Sequence, residues 1–189
     1  MSEEATRREH GPWDVTEVEG PEGRLDFGAM WLRGVDGLQV QAQMNEATGA
    51  VGVITLNHGQ GGLQLQVFAA PRTDGLWDEV RGKLKSSVTG QGGLIEEQAG
   101  EHGVELRGKV PGQGALQPVR FVGVDGPRWF LRGLFLGSAA EPGGSPELEQ
   151  VFRDIVVVRG TDAMSPGEAL PMRLPEEATA TAVPPEDQA

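Results

Sequence analysis

A chain of 189 residues with a net charge of −12 and no cysteine has the length of one domain and excludes disulfides and thiolate metal sites. Its acidity is uneven, because residues 1–23 hold seven acids against Arg7 and Arg8, and residues 160–189 hold six against Arg173. Each end therefore carries −5 and residues 24–159 only −2. Acidic ends rich in Pro and Ala bury too little apolar surface to offset chain entropy. The expected organisation is a mostly disordered head over 1–23 with Trp13 as a docking strap, one domain over 24–160, and a disordered tail over 161–189. The first ten residues lack the apolar core of a secretory signal. No run approaches the roughly 20 apolar residues of a membrane span. The expectation is a cytoplasmic protein with no membrane partner.

Residues Leu25–Arg33 read as a strand, followed by a turn at Val35-Asp36-Gly37. Leu38, Val40, Ala42 and Met44 then alternate with Gln39, Gln41 and Gln43, the period of a half-buried strand with a polar outer face. After the turn-forming run Asn45–Gly49, Ala50–Leu56 completes a hairpin. Leu63, Leu65 and Val67 alternate with Gln64 and Gln66 in a further strand. Five outward glutamines imply an uncharged sheet face, either wet or covered by a helix or tail.

Pro71 ends that run, and Thr73 or Asp74 supplies an N-cap. Leu76, Trp77, Val80, Leu84 and Val88 form one apolar stripe on a helix over 76–90. Its acids, Asp78 and Glu79, precede Arg81, Lys83 and Lys85, the order that suits the helix dipole. Leu94–Gln98, Gly103–Val110, Gln117–Val124 and Arg128–Leu136 read as a second set of strands, with Asp125-Gly126 as the hairpin turn between the last two. Ser145 and Pro146 mark the start of a short helix bearing Leu148, Val151, Phe152 and Ile155. The β-branched run to Val158 leads into an edge strand. The order strands, helix, strands, helix, strand argues an antiparallel sheet with two packed helices, an α+β fold.

No catalytic signature emerges. His10, His58 and His102 show no metal-ligand spacing, and the latter two fall in expected surface turns. No Gly-x-Ser-x-Gly or phosphate-loop motif is present. The runs Gly59-Gln60-Gly61-Gly62 and Gly112-Gln113-Gly114 fail to complete a dinucleotide loop and read as turns. Asp78-Glu79 is explained by the helix dipole, and Glu96-Glu97 leads into a loop. No catalytic residue, metal ligand or cofactor is therefore assigned.

Two features stand apart. Between Arg107 and Gly137 lie five bases (Arg107, Lys109, Arg120, Arg128, Arg132) and one acid, Asp125. The strands that carry them are otherwise apolar, as strands buried on both faces are. Arginine among apolar neighbours needs a carboxylate, a carbonyl or a ligand. Arg120, Arg128, Arg132 and Trp129 thus form the candidate binding patch. Trp13, in an acidic head, is a second candidate contact, as a strap on its own core or as a motif for a partner. The positive charge is too slight for nucleic acid, whose binding rests on charge neutralisation.

Four runs together carry a resemblance: Gly11-Pro12-Trp13-Asp14, Ala70-Pro71-Arg72 with Trp77-Asp78-Glu79-Val80-Arg81, Arg120–Gly133, and Phe152–Gly160. Over about residues 11–175 the chain resembles an actinobacterial family of unknown function. That resemblance implies genes near a dUTPase gene and implies no chemistry. The element order is similar to the Mog1/PsbP-like sandwich, an analogy of order alone. The favoured expectation is a non-enzymatic binding or adaptor module that meets a protein partner through the Arg/Trp patch or the Trp13 segment. The alternatives are a binder or enzyme for an anionic small molecule at that patch, with His58 or His102 as acid/base groups, and a weak single-strand nucleic-acid binder.

Overall fold

The computed structural model describes residues 11–44, 46, 49–72 and 75–175. It holds two sheets and two α-helices, and the α+β class stands. The large sheet is antiparallel, in the order β4 (Gln39–Met44), β5 (Val51–His58), β6 (Gly61–Ala69), β10 (Trp129–Gly137), β9 (Leu116–Gly126), β8 (Gly103–Pro111), β7 (Leu94–Gly100). The small sheet runs β1 (Trp13–Asp14), β11 (Val156–Val157), β3 (Met30–Leu32), β2 (Leu25–Asp26). No helix among the described residues is long and apolar enough to cross a membrane.

Strand alternation sorts the large sheet into two faces. One face turns Ile54, Leu56, Leu63, Leu65, Val67, Leu131 and Phe135 into the main core. The small sheet and α2 (Pro146–Arg153) close it, α2 with Leu148, Val151 and Phe152. Ser145 caps α2 by accepting from Leu148 N at 3.4 Å, and Pro146 opens it, as the sequence signals. Phe152 sits edge-on to Phe135 at 5.7 Å, directly above Gly133, where an added Cβ would lie 2.7 Å from its ring. The other face carries Phe130, Leu106, Val119 and Phe121 beneath α1 (Trp77–Gly90). The expectation that the Arg120 and Arg132 strands are buried on both sides is met: β9 and β10 turn Val122, Leu131 and Phe135 into the main core and Phe121 and Phe130 toward α1.

The strand expected over Leu25–Arg33 is broken in two. Gly28 turns left-handed at φ 88°, and Asp26 Oδ1 accepts from its N–H at 2.8 Å. Phe27 N bonds Met30 O at 2.8 Å, closing a tight turn between β2 and β3.

The turn between β9 and β10 also departs from expectation. Gly126 pairs with Trp129, so Pro127-Arg128 makes the turn, and Asp125-Gly126 closes β9. Pro presets φ at the first corner, while Arg128 takes φ 65°, the left-handed region that usually needs glycine.

The domain expected over 24–160 omits two pieces that pack against it. Trp13-Asp14 runs parallel to Val156-Val157, with Trp13 N donating to Ile155 O at 2.7 Å. At the other end, β5 and β6 pair only from Ile54/Leu65 to His58/Gly61. The C-terminal segment fills the splayed end: Gly167 and Leu170 bond β6, and Met172 bonds Val51. Leu170 and Met172 are buried in the main core. Trp13 thus docks on the core as a strap, and a few apolar side chains of the acidic flanks complete that core. The expected cap residues Thr73 and Asp74, His10, and the acidic tail beyond residue 175 lie outside the described residues.

Candidate functional site

The four residues of the expected patch do not share a surface. Trp129 is wholly buried in the main core, and its indole N–H donates to Asp14 Oδ1 at 2.7 Å. Arg120 pairs in register with Phe135 and lies over that ring at 4.1 Å, on the α2 face. There it meets Glu149, and its Nη1 stands 3.8 Å from Glu105. Arg128 sits half-buried in the turn, and its carbonyl accepts from Ala70 N and from Arg159 Nε. Arg132 is three residues from Phe135 on the same strand, so it points to the opposite face, toward α1. Trp13 is half-buried in the small sheet. These residues are thus dispersed: Trp13 borders a cavity beside Arg24 and Asp154, and of the four patch residues Arg132 lines a cavity under α1.

That cavity, about 530 Å³, lies between α1 and the β6–β10 part of the sheet. Its floor is Phe68, Phe130 and Arg132; its wall is the Leu76, Val80 and Leu84 side of α1. Pro166 and Gly167 of the C-terminal segment form the far rim.

The helix is held so that this groove stays open. Asp125, from the end of β9, caps α1 from outside the helix: its Oδ1 accepts from Leu76 N at 2.7 Å and from Trp77 N at 3.3 Å. Gly75 is required there, because an added Cβ would lie 2.4 Å from the Asp125 carboxylate. The Trp77 ring packs on Gly123, with its Nε1 donating to Val104 O at 2.7 Å. On the β7 side, Arg81 and Lys85 reach Glu97 at 3.3 and 3.4 Å. Trp77 and Val88 anchor the two ends and are buried, while Val80 and Leu84 between them, and Leu76 at the N-cap, are only half-buried. An apolar stripe anchored at both ends and half-covered in the middle leaves hydrophobic surface available to a ligand.

Arg132 is the electrostatic feature of the groove. Its guanidinium donates to the Gln66 side-chain oxygen and lies 5.4 Å from the centre of the Phe68 ring. No carboxylate pairs with it among the described residues. Burial lowers its pKa, yet arginine stays charged in proteins. A neutral amide and a ring face compensate a desolvated cation only in part. The remaining donors suit a carboxylate or phosphate, which guanidinium binds in a fork. The groove's other charges, Glu79 and Lys83, pair with each other at 2.7 Å.

The histidines stand elsewhere. His58 Nε2 lies 3.0 Å from Asp36 O. His102, expected in a surface turn, instead has a side chain only 8 % exposed and meets the Phe152 ring edge at 5.0 Å; the turn folds inward onto α2. It borders a second cavity of about 570 Å³ with Trp77, Arg81 and Asp125. Among the described residues, no cluster of three His, Asp or Glu is placed to hold a metal ion.

Sequence reasoning missed Gln66, Phe68 and Leu84 as parts of one site. Their signal was present in outline: Gln66 lies directly opposite Arg132 in the β6–β10 register, and Phe68 is the next residue on the same face.

A family model described as a protein of unknown function, DUF3710, matches residues 11–181. The chain belongs to this family. The DUF3710 match begins just before the Trp13 strand and ends beyond Met172, so both flanking pieces that complete the core fall inside it. No curated protein and no solved structure matches the chain. The likeness to Mog1/PsbP-like sandwiches therefore rests on element order alone.

Proposed function

We propose that the protein is a non-catalytic binding module for a small amphipathic anion, whose apolar part lies in the α1 groove and whose charged head sits on Arg132. The observation that carries this reading is a desolvated guanidinium with a neutral amide as partner, at the floor of a cavity walled by half-covered apolar side chains. Binding sites for small molecules have this make-up, mostly apolar with a few placed polar groups. Ser87, a mutually paired Glu79 and Lys83, and an arginine form a set that orients a ligand rather than one that exchanges protons with it. An adaptor surface made of Arg120, Arg128, Trp129 and Arg132 has less support, since these side chains occupy separate places. The reading takes the protein to be cytoplasmic and actinobacterial, in keeping with a cysteine-free chain and with the resemblance described above.

Calorimetric titration with decyl phosphate and with decyltrimethylammonium tests it. Decyl phosphate should bind and the cationic probe should not. Arg132→Leu should weaken decyl phosphate by about 10- to 100-fold, the value of one charge-assisted pair. Equal affinity for the two probes, or an unchanged Arg132→Leu variant, overturns the proposal.

A further inference from the structure

On the Gln66 side of Arg132 the same sheet face continues across β6, β5 and β4. Gln39, Gln41 and Gln43 of β4 are exposed there, and Thr55, Asn57, Gln64 and Gln66 are half-buried. Register places them in rows: Gln41 opposite Thr55 and Thr55 opposite Gln64, with Gln39 opposite Asn57. Gln66 follows Gln64 on the same face of β6 and lies opposite Arg132, while on β5 the apolar Val53, opposite Gln43, ends the amide rows. Among the described residues, Arg132 is the sole charged side chain that this face carries from β4 to β10. Only Gln66 of these amides is engaged by a described side chain.

We infer that the ligand is a sugar or polyol phosphate with an apolar tail: its phosphate on Arg132, its hydroxyls on the amide rows, its tail beneath α1. The inference rests on the binding function proposed above and specifies its headgroup. Each amide offers donors and an acceptor, the complement of a hydroxyl, which both donates and accepts. One cation fixes one anionic group. A polyphosphate or a nucleic acid would find no second cation on the described β4–β10 face, and Lys83 across the groove is paired with Glu79; phosphate binding without neutralisation is weak. A plain fatty acid would leave the amide rows unused. At ordinary strand spacing the rows extend about 10 Å from β6 to β4, room for a ring bearing several hydroxyls. The three chemistries follow in spatial order: apolar side chains under α1, the guanidinium, then neutral amides.

The test uses dioctanoyl phosphatidic acid and dioctanoyl phosphatidylinositol, titrated below their aggregation concentrations at about pH 5, where the monoester's second ionisation is suppressed and the polyol is the main difference. The full chain should bind the inositol lipid at least ten-fold more tightly. The double variant Gln41→Val/Gln64→Val keeps β-forming residues and leaves Gln66 and Arg132 untouched. It should bind phosphatidic acid as the wild type does and lose the preference. Phosphatidic acid bound equally well or better by the wild type overturns the headgroup assignment and leaves the amphipathic-anion reading standing. A preference that survives in the double variant also overturns it, because the amides then do not read the polyol. If neither lipid binds the wild type, both readings fall together. Thermal melting of the variant confirms that it is folded, and Gln41→Val alone, at an exposed site, supplies the same readout should the double variant not fold.

Discussion

The indole N–H of Trp129 donates a 2.7 Å hydrogen bond to Asp14 Oδ1 in the interior, across 115 residues of sequence. Asp14 uses its second oxygen to hold Thr16, at 3.1 Å to N and 2.5 Å to Oγ1. This contact ties the N-terminal strand to the start of β10, and so makes residues 13–17 part of the domain.

Removing either partner breaks a buried, charge-assisted hydrogen bond. Trp129→Phe and Asp14→Ala should each destabilise the fold by about 2–4 kcal/mol, through lost pairing of a charged group and, for the indole, lost packing. Urea unfolding measures this. A double-mutant cycle should return a coupling of about 1–3 kcal/mol; additive costs would mean that the hydrogen bond contributes nothing of its own.

Asp125 caps α1 from a strand end, so its loss should fray the helix that forms the groove wall. Asp125→Ala is expected to cost about 1–2 kcal/mol, in the range of local N-caps, and Asp125→Asn less. Amide exchange should rise over residues 76–80. Protection unchanged there would show that the cap is dispensable.

Arg120 stands between Glu149 and Glu105 over the Phe135 ring. Arg120 is 8 % exposed and Glu105 2 %, so Arg120→Met strips Glu149 of its cation and leaves the buried Glu105 with Arg107 alone, at 2.6 Å. The expected cost is about 3–5 kcal/mol. Replacing Arg120 and Glu149 together by apolar residues of similar size, which leaves Glu105 its Arg107 partner, should recover much of it, as buried ion pairs seldom add net stability. Chemical denaturation of both variants checks the contrast.

Glu97 joins α1 to β7. The Arg81 hydrogen bond holds its carboxyl below the ordinary value of 4.5 against a smaller opposing effect of burial, with Lys85 adding in the same direction. A depressed carboxylate stabilises above its unfolded value and loses that contribution as pH falls through the folded one. Wild type and Glu97→Gln should therefore differ in urea midpoint at pH 7 and converge at pH 3. The difference should be small, because the site is exposed and salt-screened. A gap that widens in acid would contradict this sign.

The elements were largely legible because they follow periodicity. The Leu76–Val88 stripe gave α1, and the Gln39–Gln43 alternation gave β4. Ser145-Pro146 marked the start of α2. What was not legible depended on contacts between distant residues. Asp125-Gly126 reads as a turn, yet Asp125 is drawn to cap α1 and the chain reverses two residues later, at Pro127-Arg128. Arg120 and Arg132 look like one patch along the chain. Once the turn is fixed, pairing of Arg120 with Phe135 sends Arg132 to the other face. Composition could not show that Leu170 and Met172 fill a gap between β5 and β6. The glutamines were visible as a polar face, but their relation to a cation required the β6–β10 register.

A crystal structure of the full chain with decyl phosphate tests the central claim most directly. The account predicts the phosphate on the Arg132 guanidinium, at about 2.7–2.9 Å, with the alkyl chain between Phe68, Phe130 and Leu84. A phosphate bound elsewhere, or a groove left unoccupied at saturating probe, would contradict it.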